Sequence, residues 1–143
     1  MTVFADASAV VKLYLDEQDA DAVRSLGTMY VSALTCVEVP SAVWRKHRSG
    51  VLPSTSASQL VARFNDDVHA VDGRLALAVL DQEQLDHAAR LVAQHELRAS
   101  DAIQLAAALA VRRTDRSCDR FACFDRALMA AAEAEGFGDA SPA

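Results

Sequence analysis

The stretch Leu105-Ala106-Ala107-Ala108-Leu109-Ala110-Val111 is the longest apolar run in the chain, and it is apolar on every side of a helix. It is far shorter than the roughly 20 residues that cross a bilayer, so such a helix has to be surrounded by protein. Ser100 stands ahead of it as a helix N-cap, and the helix is expected to run through about Arg112 in the middle of the fold. The rest of the pattern says what surrounds it. Short apolar runs, Thr2–Ala5, Met29–Val31, Leu75–Leu80 and Arg120–Phe124, read as buried strands, two of which stop at Asp6 and Asp125. Between them the spacing predicts helices over Ser8–Leu15, Asp19–Leu26 (ending at Gly27), Thr35–Ser49 and Ser54–Val68. A further helix is capped by Asp81, with Leu85, Ala88, Ala89 and Val92 on one face, and a last one spans Arg126–Glu135. Thr35 is expected to cap its helix, and Pro40 to remove one hydrogen bond inside it and bend the axis.

This alternation of short strands and amphipathic helices means an α/β domain, with a central parallel sheet of about four short strands flanked by helices. At 143 residues the chain is one domain, taken as residues 1–137, with 138–143 expected to be a flexible C-terminal tail. Hydrophobic residues make up 52% and charged residues 24%, enough for a core and no case for disorder. A net charge of −6 argues against coating nucleic acid by bulk charge but leaves room for a local basic patch. No basic n-region precedes the first apolar run, so neither a signal peptide nor a membrane span is expected. Cys36, Cys118 and Cys123 have no metal-finger spacing and read as buried thiols of a protein in a reducing cytoplasm.

In a parallel α/β sheet, ligands gather at the C-terminal ends of the strands. Asp6 follows the first strand, Asp125 follows the fourth, and Asp101 opens the central helix. Glu38 lies in the apolar segment Cys36-Val37-Glu38-Val39, where burying its charge is costly unless an arginine or a divalent cation meets it. Each acid also has a structural reading. Asp6 and Asp125 suit N-caps, Asp101 suits the positive end of its helix, and Glu38 is within reach of Arg45 or Lys46. Three acids at one end of the sheet favour a shared site. Two groups of cations, Arg45-Lys46-His47-Arg48 and Arg112-Arg113 with Arg116 and Arg120, suit either phosphate contact or helix C-termini; Lys12 is a third candidate. The histidines are scattered, and there is no nucleophile elbow or phosphate-cradling glycine loop.

Four segments carry a resemblance. Val3-Phe4-Ala5-Asp6-Ala7-Ser8-Ala9-Val10-Val11-Lys12-Leu13-Tyr14 resembles the opening of PIN domains, specifically the toxin half of VapBC-type toxin–antitoxin pairs. Thr35-Cys36-Val37-Glu38-Val39-Pro40-Ser41-Ala42 is similar to their second motif, Leu97–Ala106 to their third, and Phe121-Ala122-Cys123-Phe124-Asp125 to their fourth. The resemblance implies a PIN-like fold and a metal-dependent endoribonuclease, usually held inactive by an antitoxin. Its acidic quartet falls on Asp6, Glu38, Asp101 and Asp125, and its hydroxyl after the first acid on Ser8. Two departures concern the metal shell: Cys123 stands where the family often has Thr or Ser, and Arg126-Ala127-Leu128 follow Asp125 without a further acid.

Phosphodiester hydrolysis needs a nucleophilic water, charge relief on the phosphate and help for the leaving oxygen. Mg²⁺, with Mn²⁺ as a substitute, supplies these and takes oxygen ligands. Asp6 and Asp125 are therefore expected as direct ligands, Glu38 and Asp101 directly or through water, and Ser8 as an orienting hydroxyl. The partners expected are RNA, a cognate antitoxin placing an arginine among the acids, and a second copy of the chain in a homodimer. The dimer surface is expected on the Asp19–Leu26 helix and on Val39, Val43 and Trp44. The alternatives are a housekeeping RNA-processing nuclease and a PIN-like module that binds RNA or protein without cutting.

Overall fold

The computed structural model describes residues 2–141. Strand β1 (Thr2–Ala5) takes the middle of a five-stranded sheet, because its side chains are wanted on both faces. Val3 and Ala5 point into one apolar cluster and Phe4 into the other, the period of two that a doubly covered strand requires. On one side lie β2 (Met29–Ser32) and β3 (Leu75–Ala78), and on the other β4 (Cys118–Ala122) and β5 (Gly138–Asp139). The order is β3-β2-β1-β4-β5, and every pairing is parallel. The expected α/β architecture with a parallel sheet is therefore present, with one strand more than anticipated.

That extra strand corrects the expected tail. Gly138–Asp139 pairs with β4, Ala140 is buried and donates its N–H to Phe121 O, and Ser141 Oγ donates to Cys123 O at 2.6 Å. Two residues are too short to show a periodicity, and the unpaired edge of β4 is what recruits them. Pro142 and Ala143 lie outside the described residues.

The helices divide between the two faces. One cluster is filled from α1 (Ala7–Val10), α2 (Ala20–Arg24), α3 (Thr35–Arg48) and α4 (Ser54–His69), including Val10, Val23, Val39, Val43 and Phe64. The other comes from α5 (Gln82–Gln94), α6 (Ala99–Thr114) and α7 (Arg126–Ala134), around Phe4 stacked on Phe121 with centroids 5.6 Å apart. As its all-round apolarity predicts, α6 is the inner helix, with Leu105 through Ala108 all buried. Its alanines let α5, α7 and the sheet approach closely.

Local departures have local causes. The helix expected over Ser8–Leu15 is one turn of α-helix followed by a 3-10 turn over Val11–Leu13. Helix α6 begins at Ala99 with Arg98 as its N-cap, so Ser100 sits in the first turn, and Thr35 begins α3 without capping it. Pro40 is carried inside α3, which continues to Arg48. Val39 and Val43, expected as dimer surface, are fully buried against α4 and the sheet, and Trp44 is half-buried on the same cluster. Among the described residues no helix is long and apolar enough to cross a membrane.

Candidate active site

The chain crosses from one half of the sheet to the other between β1 and β4. That topological switch point is where an open α/β sheet leaves a crevice at its carboxyl edge. A cleft of about 560 Å³ opens there, and Asp6, Ser8, Glu38, Asp101 and Asp125 all line it. Three of the acids arrive as their secondary structure dictates. Asp6 ends β1 and caps α1, its Oδ1 accepting from Ala9 N at 3.1 Å. Asp125 follows β4 and caps α7 through Leu128 N at 2.9 Å, and Asp101 stands in the first turn of α6. Asp6 and Asp125 thus each cap a helix and line the same cleft.

Asp6 is the most enclosed of the four, with 4% of its surface exposed. Burial, with Asp101 and Glu38 nearby, pushes its carboxyl up to about 7, against the pull of its bonds from Ser8 and Ala9. Ser8 Oγ donates to Asp6 Oδ1 at 2.6 Å and accepts from Phe124 N at 2.9 Å. One hydroxyl therefore ties the end of β1 to the loop after β4. Cys123, on that loop, is buried, and burial, with Asp6 next in effect, raises its thiol to about 12. It remains a neutral thiol.

Glu38 is reached by neither Arg45 nor Lys46. Its Oε1 accepts from Gln104 Nε2 at 2.6 Å, and the same amide donates to Thr35 Oγ1 at 3.1 Å. A buried carboxamide, whose Oε1 has no partner of its own, thus meets this half-buried acid in place of the Arg45 or Lys46 contact. Burial raises the Glu38 carboxyl above its ordinary value, with Asp101 adding repulsion. The opposite pair does meet a cation. Arg98 reaches Asp101 Oδ2 through Nε and Nη2, both at 3.3 Å, and Asp125 Oδ2 through Nη2 at 3.5 Å. Asp101 is still raised, because burial outweighs Arg98 and Asp125 repels it.

Arg98 and Gln104 were not singled out in the sequence, although each left a trace. Arg98 precedes Asp101 by three residues, the spacing of a helical ion pair, and Gln104 is a polar side chain on an otherwise apolar helix. Lys12, a candidate phosphate contact, is instead held by Glu17 at 3.4 Å and Gln18 O at 2.9 Å, with its ammonium over the Phe124 ring. Arg112 and Arg120 bond to Glu135 O and Asp139 O, and neither lines the acidic cleft.

The donor set is all hard oxygen, and three of its carboxyls are raised by burial and mutual repulsion, a penalty that a bound cation would reverse. Among the described residues, no three acidic, histidine or cysteine side chains already form a metal shell. Electrostatically the site fits a divalent cation.

No curated protein matches the sequence. Two solved structures share the fold. One is the Mycobacterium tuberculosis toxin VapC20, which cleaves the sarcin–ricin loop. It superposes with a TM-score of 0.64 at 16% identity, over 91% of this chain and 95% of that one. The other is PAE2754 from Pyrobaculum aerophilum, with a TM-score of 0.65 at 20% identity, over 98% and 84%. The family model of the PIN domain matches residues 3–133, and the chain accordingly belongs to the PIN-domain family.

Proposed function

We propose that this protein is a divalent-metal-dependent endoribonuclease that hydrolyses RNA phosphodiester bonds and acts as the toxin of a toxin–antitoxin pair. The observation that carries this reading is the convergence of Asp6, Glu38, Asp101 and Asp125 on one cleft at the switch point of the sheet. A binding module gains nothing from holding four mutually repelling carboxylates together.

In this reading Asp6 and Asp125 hold Mg²⁺ or Mn²⁺ directly, and Glu38 and Asp101 hold it directly or through water. When bound, the cation supplies an activated water, charge relief on the phosphate and support for the leaving oxygen. The chain's own part is to keep the ligands in place. Ser8 fixes the rotamer of Asp6 and anchors the Phe124 loop, while Gln104 fixes Glu38. Arg98 shares its single positive charge between Asp101 and Asp125, and a cation held by the quartet would supply the rest of that compensation.

The same contact supports the partner reading. A guanidinium already bridges two acids of the cleft, so an antitoxin segment lying over it with an arginine would find acceptors of the right shape. With Val39 and Val43 in the core, a homodimer would use other surface, and Leu77 and Val79 are exposed at the β3 edge. A cytoplasmic location goes with this role.

Protein purified free of antitoxin is expected to cut RNA with Mg²⁺ or Mn²⁺ and to stop when EDTA is in excess. Cleavage undiminished by chelator would remove the metal from the mechanism. Growth arrest on expression, relieved by co-expressing an adjoining small reading frame, is the expected sign of the toxin role.

A further inference from the structure

The acidic cleft does not end at its carboxylates. A second depression of about 380 Å³ adjoins it along α3, and the two share Val11, Ala42 and Arg45. The cations around this groove differ in how they are engaged. Arg98 is bound to Asp101 and Asp125. Lys12 and Lys46 both lean on the single carboxylate of Glu17, at 3.4 and 3.5 Å. Arg45 stands exposed at the junction of the two depressions and has no ion pair or side-chain hydrogen bond among the described residues.

A chain of net charge −6 repels RNA at long range, so a strand crossing this site needs a local cation beside the carboxylates. Arg45 is the guanidinium in position to supply it. Beyond it, Val11, Leu15 and Ala42 give the second depression an apolar wall suited to ribose and base faces.

We propose that this groove holds the RNA on one side of the scissile bond, with Arg45 gripping the neighbouring phosphate. Glu17 limits the grip by keeping Lys46, on the groove wall, and Lys12 neutralised. This rests on the nuclease reading above, and the test separates the two.

The test measures binding of a short, fluorescently labelled single-stranded RNA of mixed sequence to the full chain in Mg²⁺ buffer. Asp101→Asn is the background, so that the RNA is not consumed, and salt is varied. Arg45→Ala is expected to weaken binding about tenfold, the scale of one charge-assisted contact. It should also reduce the salt slope by about 0.7, one single-strand phosphate. Glu17→Gln is expected to tighten binding about two- to fivefold by freeing two ammonium groups. Arg113→Ala removes the same charge about 18 Å further along α6 from Asp101, at 1.5 Å per residue, and should change affinity less than about twofold. In the cleaving protein, Arg45→Ala should raise KM much more than it lowers kcat. Equal losses for Arg45→Ala and Arg113→Ala, or no loss for Arg45→Ala, would overturn the groove assignment while leaving cleavage by the parent intact. A parent that neither binds nor cuts RNA would overturn both readings.

Discussion

Asp6 and Glu38 on one wall of the cleft, and Asp101 and Asp125 on the other, are the same chemical group held in two ways. The second pair shares a guanidinium; the first has only neutral donors, a serine hydroxyl, a backbone N–H and a glutamine amide. Neutral donors orient a carboxylate but do not cancel its charge, so the cost of burial stays with Asp6, whose carboxyl sits at about 7. On the other wall Arg98 offsets part of that cost, although burial still raises Asp101. The least compensated burial is therefore at Asp6, at the end of β1, where a cation gains most.

The largest expected effect is at Asp6. Asp6→Asn keeps the shape and should lower RNA cleavage by about 10³-fold or more, since it removes a proposed direct ligand. Its stability should move the other way. An acid whose folded-state value lies above its unfolded one contributes full stability below the unfolded value, and loses it as pH rises through the folded one. For Asp6 that window runs from 3.8 to about 7. At 1.36 kcal/mol per pKa unit the ionised group costs the fold about 4 kcal/mol at most. In chelator, the parent should therefore lose melting temperature between about pH 4 and 7, while Asp6→Asn loses distinctly less, Glu38 and Asp101 still titrating, and melts higher at pH 8. Asp101→Asn should also melt higher and lose cleavage. Asp125→Asn, which keeps its cap and loses only an Arg98-compensated charge, should barely move in melting temperature. An equal gain for Asp125→Asn would break the contrast between the enclosed Asp6 and the Arg98-bridged Asp125.

Added Mg²⁺ comes next. At about 100 times its Kd a ligand of the folded state contributes about 2.7 kcal/mol, so the parent's melting temperature should rise with Mg²⁺ at pH 8. Asp6→Asn should gain distinctly less. A parent unmoved by Mg²⁺ and Mn²⁺ would leave the burial of these acids without a cationic purpose.

Ser8→Ala is expected to cost about 1–3 kcal/mol, because it leaves Phe124 N without its acceptor and Asp6 without its closest donor. As the Ser8 bond lowers the Asp6 carboxyl, its loss should shift the pH transition of the metal-free protein upward. The smallest effect belongs to Arg98→Ala. The side chain is 77% exposed, so stability should change by less than about 1 kcal/mol in thermal melts. Asp101 should then behave more like Asp6, its own pH dependence growing, which would sharpen the comparison from the other side.

Much of this was legible in the residues. Asp6 and Asp125 were readable because a strand that ends at an acid, and a helix that starts there, are local events. The inner place of α6 followed from Leu105 through Val111, since an all-round apolar helix has no other stable position. Ser100 and Thr35 were misread as caps, because the chain's approach to a helix decides which residue turns, and side-chain preference alone does not. The structural reading of Glu38, a pair with Arg45 or Lys46, fails for a related reason. Arg45 and Lys46 are near it in sequence, but α6 brings Gln104 across from another layer.

By itself the sequence determined the alternation of strands and helices, the inner helix and the acids Asp6 and Asp125 that follow strands, all properties of periodicity and of residues that end elements. Only the tertiary structure decided how each acid is compensated, that Gly138–Asp139 complete the sheet, and that Arg45 stands between two depressions with its charge unspent. Compensation is set by distances of a few ångströms between side chains far apart in the chain. Strength of interaction falls steeply over that range, and no local pattern encodes it.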